Sequence, residues 1–261
     1  MPAGQASSAI AAAIAGNLRE YALHTGRVPG GKSSGDREVT WVDTGTDAVN
    51  RVLAARFTDR GADTRIKELA AAYGGRPLTW ITGPQDRPAD LGRRLLDHGF
   101  RHQMHWRGMA LALDGAAPDA GPPPGLEIRQ VNDPDGIAAW GRTAAAGFAM
   151  PERVARDFPA VFANLATDSI AYFLGLSDGL PVATASIFFG SGGVAGAYFI
   201  STLGPARRGG VASALTRALV GQAAARGCRL LVLEASPAGY EVYRRLHFAE
   251  YCPMDAYTLN T

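Results

Sequence analysis

The sequence predicts a mixed α/β (α+β) protein made of two halves of similar size. Two observations carry this expectation. Helix-like and strand-like segments follow one another in an order too irregular for a doubly wound parallel sheet. The stretch Gly115-Ala-Ala-Pro-Asp-Ala-Gly-Pro-Pro-Pro-Gly125 can hold neither a helix nor a central strand and reads as an extended, semi-rigid linker. A chain of 261 residues, 47% apolar and 19% charged, has enough material for a substantial core on either side of it.

Residues 9–16, Ala-Ile-Ala-Ala-Ala-Ile-Ala-Gly, continue through Leu18, Tyr21 and Leu23 as an amphipathic helix. No Lys or Arg precedes the short apolar run, which argues against a signal peptide. The first half then gives a strand at 37–43, helices at 46–56 and 62–73, a strand at 77–82, a short helix at 89–97 and a strand at 101–113. The second half opens with a strand at 126–131 and helices at 134–148 and 152–165, followed by strands at 169–176, 181–189 and 194–203. A helix at 210–226, the buried strand Leu230-Leu-Val-Leu, a helix at 238–246 and a strand at 248–258 complete it.

Charge excludes some partners. Basic and acidic side chains number 15 against 13 in residues 1–124 and 11 against 11 in 125–261, so neither half is a polybasic binder of nucleic acid or anionic membrane. No segment approaches the ~20 apolar residues of a membrane span, and a cytoplasmic location is expected. Cys228 and Cys252 do not make a disulfide framework and read as inert thiols. No metal site is expected: along a strand His102 and His105 point to opposite faces, and Gly99-Phe100 separates them from His98. Gly26-Arg-Val-Pro-Gly-Gly-Lys-Ser33 matches the P-loop pattern letter for letter, but it follows a helix and enters a strand, the reverse of the required context.

The segment with chemical content is 193–214, a strand running through Arg207-Arg-Gly-Gly210-Val-Ala212 into a helix. Glycines permit a tight turn, and the first helical turn offers N–H donors with no intrahelical acceptor at the positive end of the dipole. That is an anion cradle built from main chain, suited to a phosphate or pyrophosphate.

Three features in order make residues 194–250 resemble the core of the GNAT superfamily of acyl-CoA-dependent N-acyltransferases. They are the loop Arg207-x-x-Gly210-x-Ala212, the apolar strand Leu230-Leu-Val-Leu-Glu-Ala-Ser236, and Tyr240-Glu-Val-Tyr243-Arg-Arg-Leu-His-Phe248. The first half, through Pro77-Leu-Thr-Trp-Ile-Thr-Gly-Pro84, Arg87-Pro-Ala-Asp-Leu-Gly92 and Met109-Ala-Leu-Ala-Leu113, resembles the degenerate first half of bacterial tandem GNAT proteins. The resemblance implies two GNAT-like domains, 1–114 and 126–261 joined by 115–125, each a mostly antiparallel mixed sheet flanked by helices. Catalysis would belong to the second, while the first covers it and shapes the acceptor pocket.

The resemblance further implies acetyl-CoA as co-substrate, without a metal, between the 194–203 and 230–235 strands. Ile200, Ser201, Thr202 and Leu203 would pair with the pantetheine, and Arg208, Gly209, Gly210, Val211 and Ala212 would hold the pyrophosphate. Arg207 and Arg208 either add charge near the 3′-phosphate or are solvated surface arginines. A neutral amine of a small molecule would attack the thioester directly, with Tyr243 protonating the leaving thiolate. The bland reading of Tyr243 is a core aromatic. Ser236-Pro237 reads as N-cap and N1 of the helix that aims Tyr243, Tyr240 is the substitute acid, and both belong to the expected cofactor-binding set. Glu234 is the nearest candidate base, or else a surface or salt-bridged carboxylate. His247 stands where the family has Gly. The expected enzyme is an N-acetyltransferase, monomeric or homodimeric; the rivals are transfer of a longer acyl group and a non-catalytic acyl-CoA-binding module.

Overall fold

The computed structural model describes residues 3–114, 121–165 and 168–260, so the first part of the expected linker lies outside the described residues. Helix α1 (Ala3–Thr25) is followed by β1 (Lys32–Gly35), β2 (Thr40–Asp43), β3 (Arg51–Leu53), α2 (Ala62–Ala72), β4 (Leu78–Thr82), α3 (Leu91–Asp97) and β5 (Arg101–Ala112). The chain continues with β6 (Leu126–Val131), α4 (Pro134–Gly147), α5 (Glu152–Ala163), β7 (Ile170–Ser177), β8 (Leu180–Phe189) and β9 (Val194–Thr202). It ends with α6 (Val211–Ala225), β10 (Leu230–Ala235), α7 (Tyr240–Arg245) and β11 (Ala249–Leu259).

Among the described residues eleven strands form one sheet in the order β1-β2-β3-β4-β11-β5-β10-β9-β8-β7-β6. Pairing is antiparallel throughout except at β3/β4 and β9/β10. The strands do not separate at the Pro/Gly stretch: β5, which precedes it, lies between β10 and β11, which follow it. Long antiparallel ladders therefore hold the two parts together, Leu230–Ala235 against Arg107–Ala112 and Ala249–Thr258 against Arg101–Ala110.

Three apolar cores cover this sheet. On one face α1, α4 and α5 enclose Ile14, Leu18, Tyr21, Trp140, Phe158 and Phe162 with the side chains of Tyr172, Tyr198, Val232 and Met254. In α1 the buried residues Ile14, Leu18, Tyr21 and Ala22 recur at helical spacing, as the amphipathic reading requires. On the other face α6 and α7 pack Val211, Leu215, Leu219 and Tyr243 on Leu231, Leu233 and Ala235. Alternation along β10 thus sends Leu231, Leu233 and Ala235 to α6, and sends Val232 and Glu234 toward α1. The third core joins α2 and α3 to Val52, Trp80, Phe100 and Tyr257.

The expected helix at 46–56 is instead a loop and the strand β3. Polar side chains capture the backbone there: Thr44 N donates to Asn50 Oδ1 at 3.0 Å, Asn50 Nδ2 donates to Thr46 O at 2.8 Å, and Val49 sits at φ 66°. Such local bonds compete with helix formation, and β3 pairs with β4. Helix α7 starts at Tyr240 with Gly239 as its N-cap, so Ser236 and Pro237 do not begin it. Ser236 Oγ accepts from Gly239 N at 3.3 Å in the preceding turn. Residues 32–35 add a strand ahead of the one expected at 37–43, and the P-loop look-alike runs from the end of α1 into this strand. His102 and His105 both reach Asp255 Oδ1, at 2.8 and 3.0 Å. A register shift near Gln103 breaks the two-residue alternation that was expected to part them. Among the described residues no cluster of three or more His, Cys, Asp or Glu is placed to hold a metal.

Candidate functional site

Strands β9 and β10 run parallel but pair only over Val194–Gly196 and Leu230–Val232. Beyond that point β9 continues to Thr202 and β10 to Ala235, and the two diverge. A bulge in β9 accompanies the divergence. Thr184 faces Ser201 and Ser186 faces Tyr198, so Phe199 and Ile200 together oppose the single residue Ala185. Phe199 takes φ 50° to make this fit. A bulge bends its strand and increases the local twist, turning β9 away from β10. Thr184 Oγ1 donates to Phe199 O at 2.8 Å and Ser186 Oγ to Tyr198 O at 3.1 Å. Trp140 Nε1 donates to Ala185 O at 2.9 Å. The irregular backbone is satisfied, and the opening between the strands is fixed.

The free edge of β9 carries Ile200 to Leu203. Leu203 N donates to Val182 O at 2.8 Å, toward β8. Alternation along a strand directs the neighbouring Thr202 peptide to the open edge, where Thr202 O accepts from Arg207 Nε at 2.9 Å. Thr202 Oγ1 is buried without a partner. Ser201 is different: its hydroxyl bonds Thr184 Oγ1 at 2.8 Å and supports the bulge.

The chain then turns into α6 through Arg208 at φ 66° and Gly210 at φ 75°. Gly210 is the N-cap and has no side chain to bond the first-turn amides, which leaves those of Val211 and Ala212 for an external acceptor. Main-chain donors without a side-chain cap thus stand at the N-terminus of α6. Arg207 is braced across it, with Nη2 also 3.4 Å from Gly147 O, whereas Arg208 is exposed.

Glu234 lies on the α1 side of the opening, in β10 opposite Gly108 of β5. Its Oε1 is buried and has no hydrogen-bond partner, and it has no ion pair among the described residues. Burial pushes its carboxyl up to about 7, a rise that the charge of Arg51 opposes. Beside it, Tyr21 and Tyr198 stack at 4.0 Å between centroids, and Tyr198 Oη donates to Asn17 Oδ1 at 2.7 Å. Asn17 Nδ2 donates to Val194 O at 3.0 Å. This junction needs glycine at 196, because a Cβ there would lie 2.0 Å from Asn17 Oδ1. Burial holds the protons on Tyr21 and Tyr198 far above the ordinary phenol range, and raises the Cys252 thiol to about 11.

Tyr243 projects from α7 against Phe248 at 6.0 Å and is 8% exposed. Burial raises its phenol well above the ordinary range, so it keeps its proton at neutral pH. Tyr240 is half-buried under the guanidinium of Arg107, 4.7 Å from its ring centroid. His247 closes the turn after α7 at φ 66° with an exposed side chain, which explains why this place favours glycine. His247→Gly should raise stability by about 0.5–1 kcal/mol. Thermal unfolding checks this as an increase of about 1–4 °C in the midpoint.

Glu234 and Tyr243 thus lie on opposite faces of the sheet, Glu234 on the α1 side and Tyr243 on the α6 side, next to where β10 leaves β9. Sequence reading missed Arg51, Tyr21, Tyr198 and the bulge at Phe199. Arg51 fell inside an expected helix, and nothing local to it signals a site.

Residues 142–248 match the model of the acetyltransferase (GNAT) family. That match covers the bulged strand, the turn into α6, Glu234 and Tyr243. In fold the chain is similar to a GCN5-related N-acetyltransferase from Kribbella flavida, at 19% identity and TM-score 0.66, covering 94% of this chain and 95% of the other. It is also similar to a tandem GNAT protein from the clavulanic acid biosynthesis pathway, at 13% identity and TM-score 0.61, covering 99% and 95%. A functionally unknown conserved protein from Staphylococcus epidermidis aligns at 12% identity and TM-score 0.67, covering 88% and 94%. No curated protein matches the chain in sequence. Among the described residues no helix is long and apolar enough to cross a membrane.

Proposed function

We propose that the protein is an N-acetyltransferase that moves an acetyl group from acetyl-CoA to a primary amine of a small molecule. The observation that supports this best is the fixed opening between β9 and β10, with an uncapped helix N-terminus at one end and an unpartnered carboxylate on its wall. The pantetheine adds to the free edge at Ile200, Ser201, Thr202 and Leu203, and the pyrophosphate sits on amides of Arg208, Gly209, Gly210, Val211 and Ala212. Arg207 holds the turn against the strand. Ser236 shapes the approach to α7, and Tyr240 flanks the thiol end.

Glu234 is the general base. Its carboxyl, raised to about 7, is matched to taking a proton from an ammonium group near neutral pH. The amine then attacks the thioester carbonyl to form a tetrahedral adduct, an N–H of the open edge stabilises the oxyanion, and collapse expels the CoA thiolate. Tyr243 supplies the proton that the thiolate takes.

The degenerate first half, 1–114, serves as a partner that closes the acceptor side, and the second, 126–261, carries catalysis. In this reading β5 and β11 are exchanged between the two halves. A monomer or homodimer working in the cytoplasm, where acetyl-CoA is available, fits this reading.

Thiol release from acetyl-CoA and from longer acyl-CoAs, measured across an amine panel, tests the proposal. Amine-dependent release with acetyl-CoA is expected. Release only with longer acyl-CoAs changes the donor, and CoA binding without release for any donor leaves a binding module.

A further inference from the structure

The acceptor side of the opening contains two charged side chains, from distant parts of the chain, that make no hydrogen bond or ion pair with one another among the described residues. One is Glu234. The other is Arg51 of β3, whose guanidinium has no hydrogen-bond or ion-pair partner among the described residues. Its carbon lies 5.7 Å from the Tyr21 ring centroid and 5.9 Å from that of Phe199. The two rings fix the position of the cation by cation–π attraction and shield it from water, while the donor edges of the guanidinium stay available.

Docking of the β2–β3 loop on α5 places it there. Arg153 grips Asp47 with both Nε and Nη2 at 2.9 Å, and Asp47 N donates to Asp157 Oδ2 at 2.9 Å. Most of the chain's other arginines in this region are engaged, as Arg153 on Asp47 and Arg76 on Asp43 illustrate. Arg51 is instead held in place without a counter-ion, although its charge acts on Glu234.

We propose that the acceptor is an amine that also carries a carboxylate, an amino acid in chemical class, with its amino group at Glu234 and its carboxylate on Arg51. Guanidinium and carboxylate match as a two-point fork, and the acceptor would bring both missing counter-charges at once. The first half of the chain thereby supplies the group that selects the substrate. This assignment rests on the acetyl-transfer reading for the role of Glu234.

The test measures binding of the standard amino acids to the CoA-loaded protein by saturation-transfer NMR and calorimetry, alongside the carboxamide and decarboxylated counterpart of each. Thiol release from acetyl-CoA is followed for the same compounds. At least one amino acid should bind, with both counterparts weaker by about 10- to 100-fold. Arg51→Gln should erase that preference and raise KM far more than it lowers kcat. Arg51→Lys should restore part of the preference, which separates recognition from a general loss of structure.

The proposal is overturned if no amino acid binds, if the decarboxylated amines bind equally well, or if the preference survives in Arg51→Gln. Failure of the acetyl-transfer reading looks different: amino acids bind with an Arg51-dependent preference, yet no thiol is released from any acyl-CoA.

Discussion

Glu234→Gln should lower kcat/KM at neutral pH by about 10²–10³-fold, while the affinity for acetyl-CoA stays within about twofold. The carboxylate is nearly isosteric with the amide, so the opening keeps its shape and loses only its proton acceptor. In the unmodified protein kcat/KM should rise with pH and reach half its plateau near 7, the value to which burial raises this carboxyl. Around it, Tyr21, Tyr198 and Cys252 keep their protons through this range. The Gln variant should lack the rising limb, and a limb that persists would assign the proton transfer elsewhere.

Stability separates chemical from structural loss. The folded carboxyl titrates above its unfolded value of about 4.3, so the native state binds the extra proton between those two pH values. Stability from this residue is complete below the unfolded value and is lost as pH rises to about 7. Denaturant unfolding of Glu234→Gln should lack this decline. The variant should be at least as stable as the parent above pH 7, because no unpaired buried charge is left.

Tyr243→Phe should lower kcat by about 10²-fold with little change in the dissociation constant of CoA. Removing one hydroxyl leaves the contact with Phe248 and the packing against Gly239 intact, so thermal stability should hold. A leaving thiolate of lower basicity needs less help. Donors made from more acidic thiols should therefore recover part of the lost rate in the variant. Unchanged kcat with acetyl-CoA would remove Tyr243 as the acid and leave it a core aromatic.

Local signals carried much of the site. Gly209, Gly210 and Ala212 announce the turn because backbone geometry at an uncapped helix N-terminus demands small residues. Tyr243 and Glu234 were nominated only through the resemblance of the segments that follow that turn. The strands of the second half were legible because they are long apolar runs with clear breaks. The opening was expected only through the resemblance, and the bulge beside it was not legible, because it is one residue of register between β8 and β9 and leaves no trace in hydrophobic period. The helix expected at 46–56 failed because Thr44, Thr46 and Asn50 tie the backbone into a loop through side-chain bonds. That failure concealed Arg51. Interleaving of β5 and β11 was likewise hidden, since strand order is set by contacts far apart in sequence.

The most direct test of acyl transfer in the β9/β10 opening is a crystal structure of the protein with acetyl-CoA. Pantetheine density is expected along Ile200–Leu203, the pyrophosphate on the amides at 208–212, and the thioester between Glu234 and Tyr243. Acetyl-CoA bound elsewhere, with the opening and the α6 N-terminus empty, would contradict it.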